Sequence, residues 1–258
     1  MTWGPAAFGA GSFAAVPDTV DAPSAVEFMR EALIKISEDD IGVVAGLLAG
    51  KHRALEPLLS AASLEAGTAA AVRPILARVF ATRRRSEELL IAVGAPVVAA
   101  AISDLLHGPG RIETRFSTFD AALSGIDPPV RRDLAGECLH FLDPERYWLW
   151  SRWMWDPAAM TGALPLVMVN DFDFYAADAG MAYLRVGAAT AAVIATADEL
   201  GFKRMRASPF VVDVYLAAIY GIYLYTVTRL RMTQEFNRVI PPLPNLVRRL
   251  LGVHRQEG

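Results

Sequence analysis

The chain has 258 residues, of which 53% are hydrophobic, and its formal net charge at pH 7 is −3. So high an apolar fraction excludes an intrinsically disordered chain and allows a large buried core. The nearly neutral charge gives no support to nucleic-acid binding by bulk electrostatics, because a surface that follows phosphates needs an excess of Lys and Arg.

The single cysteine and the N-terminal residues bear on cellular location. Because Cys138 is the one cysteine in the sequence, the chain cannot build an intramolecular disulfide or a cysteine-ligated metal site. The first residues lack the basic n-region of a secretory signal. We therefore expect a cytoplasmic protein. Residues 1–23 are rich in Ala, Gly and Pro, and they are predicted to form a flexible tail or an arm that docks its aromatic side chains.

Helix-start signals begin after this tail. Ser24 and Ser37 are each followed three residues later by a carboxylate, which is the spacing of a capping box and predicts two helix starts. A longer helix is predicted over residues 64–85, where Pro74 should kink or split it.

A Gly-Pro-Gly break at residues 108–110 is the best candidate for a domain boundary. The helix predicted over 96–107 ends directly before it, as a glycine-rich stop requires. The break would separate an N-terminal helical half, 24–108, from a C-terminal helical half, 111–258. The two halves could also form one continuous domain.

The C-terminal half contains three helix starts of one type, a capping residue followed by proline. They are Asp127-Pro128, Asp143-Pro144 and Ser208-Pro209, and proline is favoured at the first helical position. They predict a helix to about Leu142, a tryptophan-rich helix, and the longest helix of the chain. Residues 161–175 carry few helix signals and are expected to form an irregular or short-strand excursion. The predicted fold is therefore all-α, a multi-helix bundle of roughly 8–10 helices.

Residues 207–228 are long and apolar enough to raise the question of a membrane span. The segment contains Asp213 and carries tyrosines through its middle, whereas membrane helices exclude charge and keep Tyr near their ends. We interpret it as a buried core helix that packs on the small-residue helix predicted over 180–200. The alternative, which these features do not favour, is a helix that packs on a membrane or on a partner subunit.

Four of the five tryptophans lie within eight residues, at positions 148, 150, 153 and 155. In a helix that begins at Pro144, aromatic side chains would cover most of the circumference, so the helix would have to be largely surrounded. Arg146 and Arg152 each lie four residues from an indole and are placed to stack on it. The segment is either a core helix whose arginines reach water along the indoles, or the wall of a pocket for a planar or anionic ligand.

The passage Leu139-His-Phe-Leu-Asp-Pro-Glu-Arg-Tyr147 resembles a short segment of helical domains in the DNA-glycosylase superfamily and in some restriction-associated proteins, where it joins two helices through an Asx-Pro turn. The resemblance covers nine residues. The glycosylase hairpin with its glycine-rich turn, and the catalytic Lys and Asp, have no counterpart at matching places in the sequence. The resemblance therefore assigns no family and no activity.

The candidate ligand-binding residues surround the tryptophan-rich segment. Asp213 is the charge least expected in its surroundings, and a buried carboxylate needs a partner, such as an arginine, or a function. For His140 a satisfied core histidine is the simpler interpretation. No catalytic residue, metal ligand or cofactor is assigned, because the sequence lacks a His-Glu-x-x-His pair, a phosphate loop and a nucleophile elbow. The candidates are His140, Glu145, Arg146, Trp150, Arg152, Trp153 and Asp213.

Two functional hypotheses follow. The preferred one is a non-catalytic accessory, scaffolding or oligomerising protein that contacts a protein partner or a second copy through apolar helix surfaces. Residues 241–252 could supply an amphipathic helix for this, although its leucines could instead close the chain's own core. The alternative is a helical protein that binds or acts on a small molecule or nucleotide, with its site in residues 140–155. The apolar residues of the terminal helix are Leu246, Val247, Leu250 and Leu251.

Overall fold

The computed structural model describes residues 19–231 and 241–254. It is 67% helical, with 11 α-helices, and the described residues form no β-sheet. The predicted all-α, multi-helix fold is confirmed. Most of the predicted N-terminal tail, residues 1–18, lies outside the described residues.

The helices have the following bounds in chain order: α1 Ala22–Lys35, α2 Glu38–Leu55, α3 Ala61–Glu65, α4 Ala69–Arg78, α5 Ser86–Val93, α6 Ala95–His107, α7 Ile112–Ala122, α8 Pro128–Leu142, α9 Ala179–Thr196, α10 Pro209–Arg231 and α11 Leu243–Leu250.

The two predicted capping boxes have different outcomes. At α2 the box is present, because the Asp40 amide donates to Ser37 Oγ at 3.1 Å and the Ser37 amide donates to Asp40 Oδ2 at 3.2 Å. At α1 the predicted start is wrong. The helix begins at Ala22, and its N-cap is Asp21, whose carboxylate accepts from the amide of Ser24. Ser24 therefore lies inside the first turn.

The single long helix expected over 64–85 is also wrong. The chain turns at Gly67, whose φ of +58° lies in the left-handed region that favours glycine. Thr68 then caps a new helix, α4, and Pro74 lies inside this helix. A turn over residues 79–85 follows, before α5 begins. The break arises from the glycine and the cap and not from the proline.

Helix α8 begins after Asp127, as predicted, and lies in the centre of the molecule. It packs against α2, α6 and α7, and every residue from 133 to 141 is buried. One contiguous hydrophobic core surrounds it and includes residues from both predicted halves of the chain.

The predicted tryptophan-rich helix does not form. Residues 144–155 make two isolated turns joined by a stretch without regular secondary structure. The backbone carbonyls of this buried segment accept hydrogen bonds from side chains instead of from helical amides. The carbonyl of Tyr147 lies 2.9 Å from His140 Nδ1, and that of Trp148 accepts from the Tyr183 hydroxyl at 3.1 Å.

The close approach of α8 to this segment depends on Gly136. A Cβ atom at Gly136 would lie 2.2 Å from the carbonyl oxygen of Trp150. The tryptophan-rich segment therefore lies directly on the backbone of α8. All four of its indoles are at most 5% exposed.

Helices α9 and α10 both form where the sequence predicts them, but they do not make the predicted main pair. Helix α9 packs chiefly on α7, whereas α10 packs on α1, α2 and α11. Val247 and Leu251 are buried, and Leu243 lies against Gly221 of α10. Helix α11 thus covers the chain's own core.

The excursion over 161–175 is irregular, as expected. It contains a 3₁₀ turn at Leu164–Leu166 and an isolated bridge between Val20 and Met168.

Two helices in the described part of the chain are long and apolar enough to cross a membrane, α9 and the first 20 residues of α10. The bent pair of α5 and α6 would make a third if it were one span, although its two helices meet at 97°. In this fold 72% of the apolar stretch of α9 and 61% of that of α10 are buried within the protein.

Candidate functional site

Helix α8 carries three buried ionisable side chains on one face. Asp133, Glu137 and His140 follow the spacing i, i+4 and i+7, which places them along one side of a helix. Each is at most 5% exposed. Because an unpaired buried charge is costly, each has a partner from a different part of the chain.

His140 pairs with Asp213 of α10. The Nε2 atom lies 2.8 Å from Oδ2, and both side chains are 2% exposed. Burial alone would lower the pKa of His140, but the Asp213 carboxylate and the Tyr147 carbonyl outweigh it and raise the pKa above its ordinary value. Asp213 therefore has a partner, as expected, although that partner is a histidine and not an arginine.

Glu137 forms a buried ion pair with Lys51 of α2. The second carboxylate oxygen accepts from the backbone amide of Phe80 at 3.1 Å. The Lys51 ammonium also donates to the carbonyl of Leu251 at 3.4 Å and lies 4.5 Å from the ring centroid of Phe141. This pair joins α2, α8 and the C-terminal segment in the core.

Asp133 pairs with Arg152 of the tryptophan-rich segment. Oδ1 accepts from the backbone amide of Arg152, and Oδ2 accepts from its Nε, each at 2.8 Å. Burial raises the pKa of Asp133 to about 6, although Arg152 acts to lower it and Glu137 adds to the rise. The Arg152 side chain is 46% exposed, so this pair reaches the surface.

Arg152 reaches the surface in an open cleft of about 950 Å³ whose wall is strongly basic. Among the described residues, five arginines line this arginine cleft, against one carboxylate, Asp127. The other polar or charged residue of its lining, in the part of the chain that the structure describes, is His254. The five arginines come from three distant parts of the sequence: Arg83, Arg84 and Arg85 from the turn after α4, Arg152 from the tryptophan-rich segment, and Arg249 from α11.

Two of these arginines have guanidinium groups without a partner among the described residues. Arg84 and Arg249 are exposed, and within residues 19–231 and 241–254 neither guanidinium has a hydrogen-bond or ion-pair partner. By contrast, Arg85 Nη1 lies 3.4 Å from Asp127 Oδ2, and the Arg83 guanidinium lies 4.5 Å from the ring centroid of Phe80.

The N-terminus of α8 also lines the cleft, through Pro128, Pro129 and Val130. The positive end of the helix dipole therefore adds to the charge of the arginines. Because prolines have no backbone N–H, this helix end contributes the electrostatic field of its dipole and part of the cleft wall, more than hydrogen bonds.

A second open cleft, of about 880 Å³, contains two more of the predicted site residues, Glu145 and Arg146. Its charges are mixed. His52 and His107 line it, and each has one ring nitrogen 2.8 Å from a backbone carbonyl oxygen. Burial, with a smaller effect of the neighbouring Asp143, raises the pKa of Glu145.

The structure therefore separates the seven predicted site residues. Arg152 lies in the arginine cleft, Glu145 and Arg146 lie in the second cleft, and the other four are buried. The predicted stacking of Arg146 and Arg152 on indoles is wrong. Arg146 lies 5.2 Å from the ring centroid of Tyr147, and Arg152 pairs with a carboxylate. The four buried residues are His140, Trp150, Trp153 and Asp213.

Trp150 and Trp153 have structural surroundings. The Trp150 indole N–H donates to the carbonyl of Trp155 at 3.0 Å, and its ring stacks on Phe116 with a centroid distance of 5.5 Å. Trp153 is 4% exposed. Neither indole lines either of the two clefts, which favours the core interpretation of the tryptophans.

Sequence reasoning missed Arg84 and Arg249 as site residues. The run of arginines at 83–85 is visible in the sequence, where it is typical of a charged turn, and a turn is what forms. Nothing local connects that run with Arg249 or Arg152, because tertiary packing alone brings them together.

In the part of the chain that the structure describes, no group of three or more His, Cys, Asp or Glu side chains is placed to hold a metal ion. Comparisons of the chain with protein-family models, curated proteins and solved structures found no match. The arginine cleft is therefore interpreted from its own chemistry.

Proposed function

We propose that the protein binds a small phosphate-bearing molecule in the arginine cleft. The single observation that carries this proposal is the convergence of five arginines on one cleft whose described lining contains one carboxylate. Like charges held together repel one another, and this arrangement is favourable when an anion occupies the space between them. Arginine is also the side chain best suited to phosphate, because its planar fork donates two parallel hydrogen bonds.

The size of the cleft and the charge of the chain support a small ligand. A volume of about 950 Å³ is at the upper end of the range of small-molecule sites. The whole chain carries a net charge of −3, so it has no overall excess of positive charge. A nucleic acid would need a longer basic surface along its backbone.

The test is isothermal titration calorimetry with inorganic pyrophosphate. The variants R84A and R249A each remove one guanidinium without a described partner, and R53A removes an exposed arginine that lines neither cleft. One charge-assisted hydrogen bond contributes about 1.5–3 kcal/mol, so each cleft variant should weaken binding at least about tenfold. R53A should bind as the wild type does. Absence of pyrophosphate binding, or equal affinities for R84A, R249A and R53A, would overturn the proposal.

Association through apolar helix surfaces stays a prediction, as do a protein partner or second copy and a cytoplasmic location. The apolar residues of the terminal helix give little support to association, because Val247 and Leu251 pack into the chain's own core. Light scattering tests association directly. A stable oligomer that does not bind pyrophosphate would favour association over the arginine-cleft proposal.

A further inference from the structure

Arg152 is a direct connection between the arginine cleft and a buried carboxylate. Arg152 lines the cleft, and its side chain is 46% exposed. Its backbone amide and Nε donate to both oxygens of Asp133, which is 4% exposed. Among the described residues Arg152 has no other hydrogen-bond or ion-pair partner. Any anion that engages this guanidinium therefore acts on Asp133 too.

The other charges around Asp133 do not replace Arg152. Glu137, one turn further along α8, is an anion that raises the pKa of Asp133. The buried cation Lys51 forms its ion pair with Glu137. Arg152 is thus the one cation that contacts the Asp133 carboxylate in the part of the chain described.

Resting on the proposed function, we propose that anion binding in the arginine cleft is coupled to proton uptake by Asp133. An anion that shares or withdraws the Arg152 guanidinium leaves the buried carboxylate with less positive charge beside it. A proton from solvent then adds to a carboxylate oxygen of Asp133, and the uncharged carboxyl group remains in the core without a counter-ion.

The direction of this coupling follows from electrostatics. A negative charge near Arg152 disfavours the ionised form of Asp133, whether or not the ion pair breaks. Thermodynamic linkage requires the converse, so that protonation of Asp133 strengthens anion binding by the same factor. The free protein is poised for such a change, because burial already raises the pKa of Asp133 to about 6.

The expected effect is measurable. If the anion raises the pKa of Asp133 by between one and two units, about 0.4 to 0.8 proton is taken up per anion near pH 7. The contribution of Asp133 then makes binding about 5-fold to 25-fold tighter at pH 6 than at pH 8. Asp133→Asn removes the titrating group and keeps an oxygen that can accept from Arg152. This variant should lose the uptake that Asp133 contributes.

The experiment is pyrophosphate titration calorimetry near pH 7 in buffers of different ionisation enthalpy, which gives the number of protons bound per ligand. Protons that pyrophosphate itself gains or loses cancel in the difference between the wild type and D133N. The expected difference is about 0.4 to 0.8 proton. His254→Gln removes the one histidine lining the cleft. In this variant, Asp133→Asn should lower the number of protons bound per pyrophosphate by the same amount as in the wild type.

A second readout needs no substitution at Asp133. Infrared difference spectra of the wild type, recorded on adding pyrophosphate at pH 7, should show a new band of a protonated, buried carboxyl group. Equal proton counts for the wild type and D133N, or pyrophosphate binding without the carboxyl band, would overturn the coupling while leaving the proposed function intact. No pyrophosphate binding at all would overturn the proposed function and the coupling with it.

Discussion

The imidazole of His140 and the carboxylate of Asp213 form an ion pair in the interior, with Nε2 and Oδ2 2.8 Å apart. The pair joins α8 to α10, and the opposite ring nitrogen of His140 lies 2.9 Å from the carbonyl of Tyr147. Helix α10, helix α8 and the tryptophan-rich segment are thus connected through one imidazole. Phe210 packs edge-on against the same ring, with a centroid distance of 5.6 Å, and excludes water from it.

Replacing Asp213 by Asn should destabilise the protein in a pH-dependent manner. Removing one partner of a buried ion pair costs about 3–5 kcal/mol. Asp213 raises the pKa of His140, so the stabilisation that the pair gives is fully present below about pH 6.5, the pKa of a histidine in the unfolded state. It is lost as pH rises through the folded-state pKa. Urea unfolding should therefore give a larger difference between the wild type and D213N at pH 6 than at pH 9.

Asp198→Asn is the matched control for this substitution. Asp198 Oδ2 lies 3.1 Å from Arg206 Nη1, but both side chains of this pair reach solvent. Exposed pairs contribute about 0–1 kcal/mol, so D198N should unfold close to the wild type at both pH values. An equal loss of stability for D213N at pH 6 and pH 9 would contradict the assigned role of His140.

Gly136→Ala should be strongly destabilising. Its added Cβ would lie 2.2 Å from the Trp150 carbonyl oxygen, and a backbone atom cannot move aside by rotating a side chain. Separating α8 from the tryptophan-rich segment disturbs a close-packed core, so we expect a loss of about 3 kcal/mol in the free energy of unfolding. Thermal or urea unfolding measures it.

Gly42→Ala makes the same chemical change where there is room. Among the described residues, nothing outside the adjacent backbone of α2 lies within 4 Å of the added Cβ at Gly42. Alanine is also favoured over glycine inside a helix by about 0.5–1 kcal/mol. G42A should therefore be slightly more stable than the wild type. Similar effects of the two substitutions would show that α8 and Trp150 are not in close contact.

The all-α fold could be predicted because helix signals are local. The Asp127-Pro128 start of α8, the Ser208-Pro209 start of α10 and the Ser37 capping box each depend on residues within one turn. The identical Asp143-Pro144 signal failed because it competes with tertiary hydrogen bonds. His140 and Tyr183 contact the carbonyls that a helix would have used, and a local pattern contains no information about them.

The candidate site was less predictable for a related reason. Arg152 could be singled out because it lies in an unusual segment, but its partner Asp133 is one polar residue in a helix of ordinary composition. Arg84 and Arg249 are 165 residues apart in the sequence. They line one cleft only after α11 packs onto the core through Val247 and Leu251.

Cys138 should resist thiol reagents in the native protein. It is 0% exposed, and burial, with a contribution from the Glu137 carboxylate, raises the pKa of its thiol well above the ordinary range. The thiolate is the reactive species, so modification by a disulfide reagent should occur only at the rate of unfolding. Complete reaction in urea is the positive control. Rapid modification in native buffer would show that α8 is accessible.

Asp133→Asn should make the protein lose less stability as pH rises. The wild type loses stability when the buried Asp133 ionises, whereas an ordinary surface carboxylate does not destabilise the fold when it ionises. The folded-state pKa of Asp133, about 6, exceeds the unfolded value of about 3.9. A raised pKa means that stability is complete below the unfolded value and is lost as pH rises through the folded value. Two pKa units correspond to about 3 kcal/mol. The free energy of unfolding of D133N minus that of the wild type should therefore increase by up to that amount between pH 4 and pH 8. All other titrating groups are common to both proteins and cancel in the difference of their urea-unfolding free energies. A difference that stays constant across this range would mean that Arg152 compensates the burial of Asp133 completely.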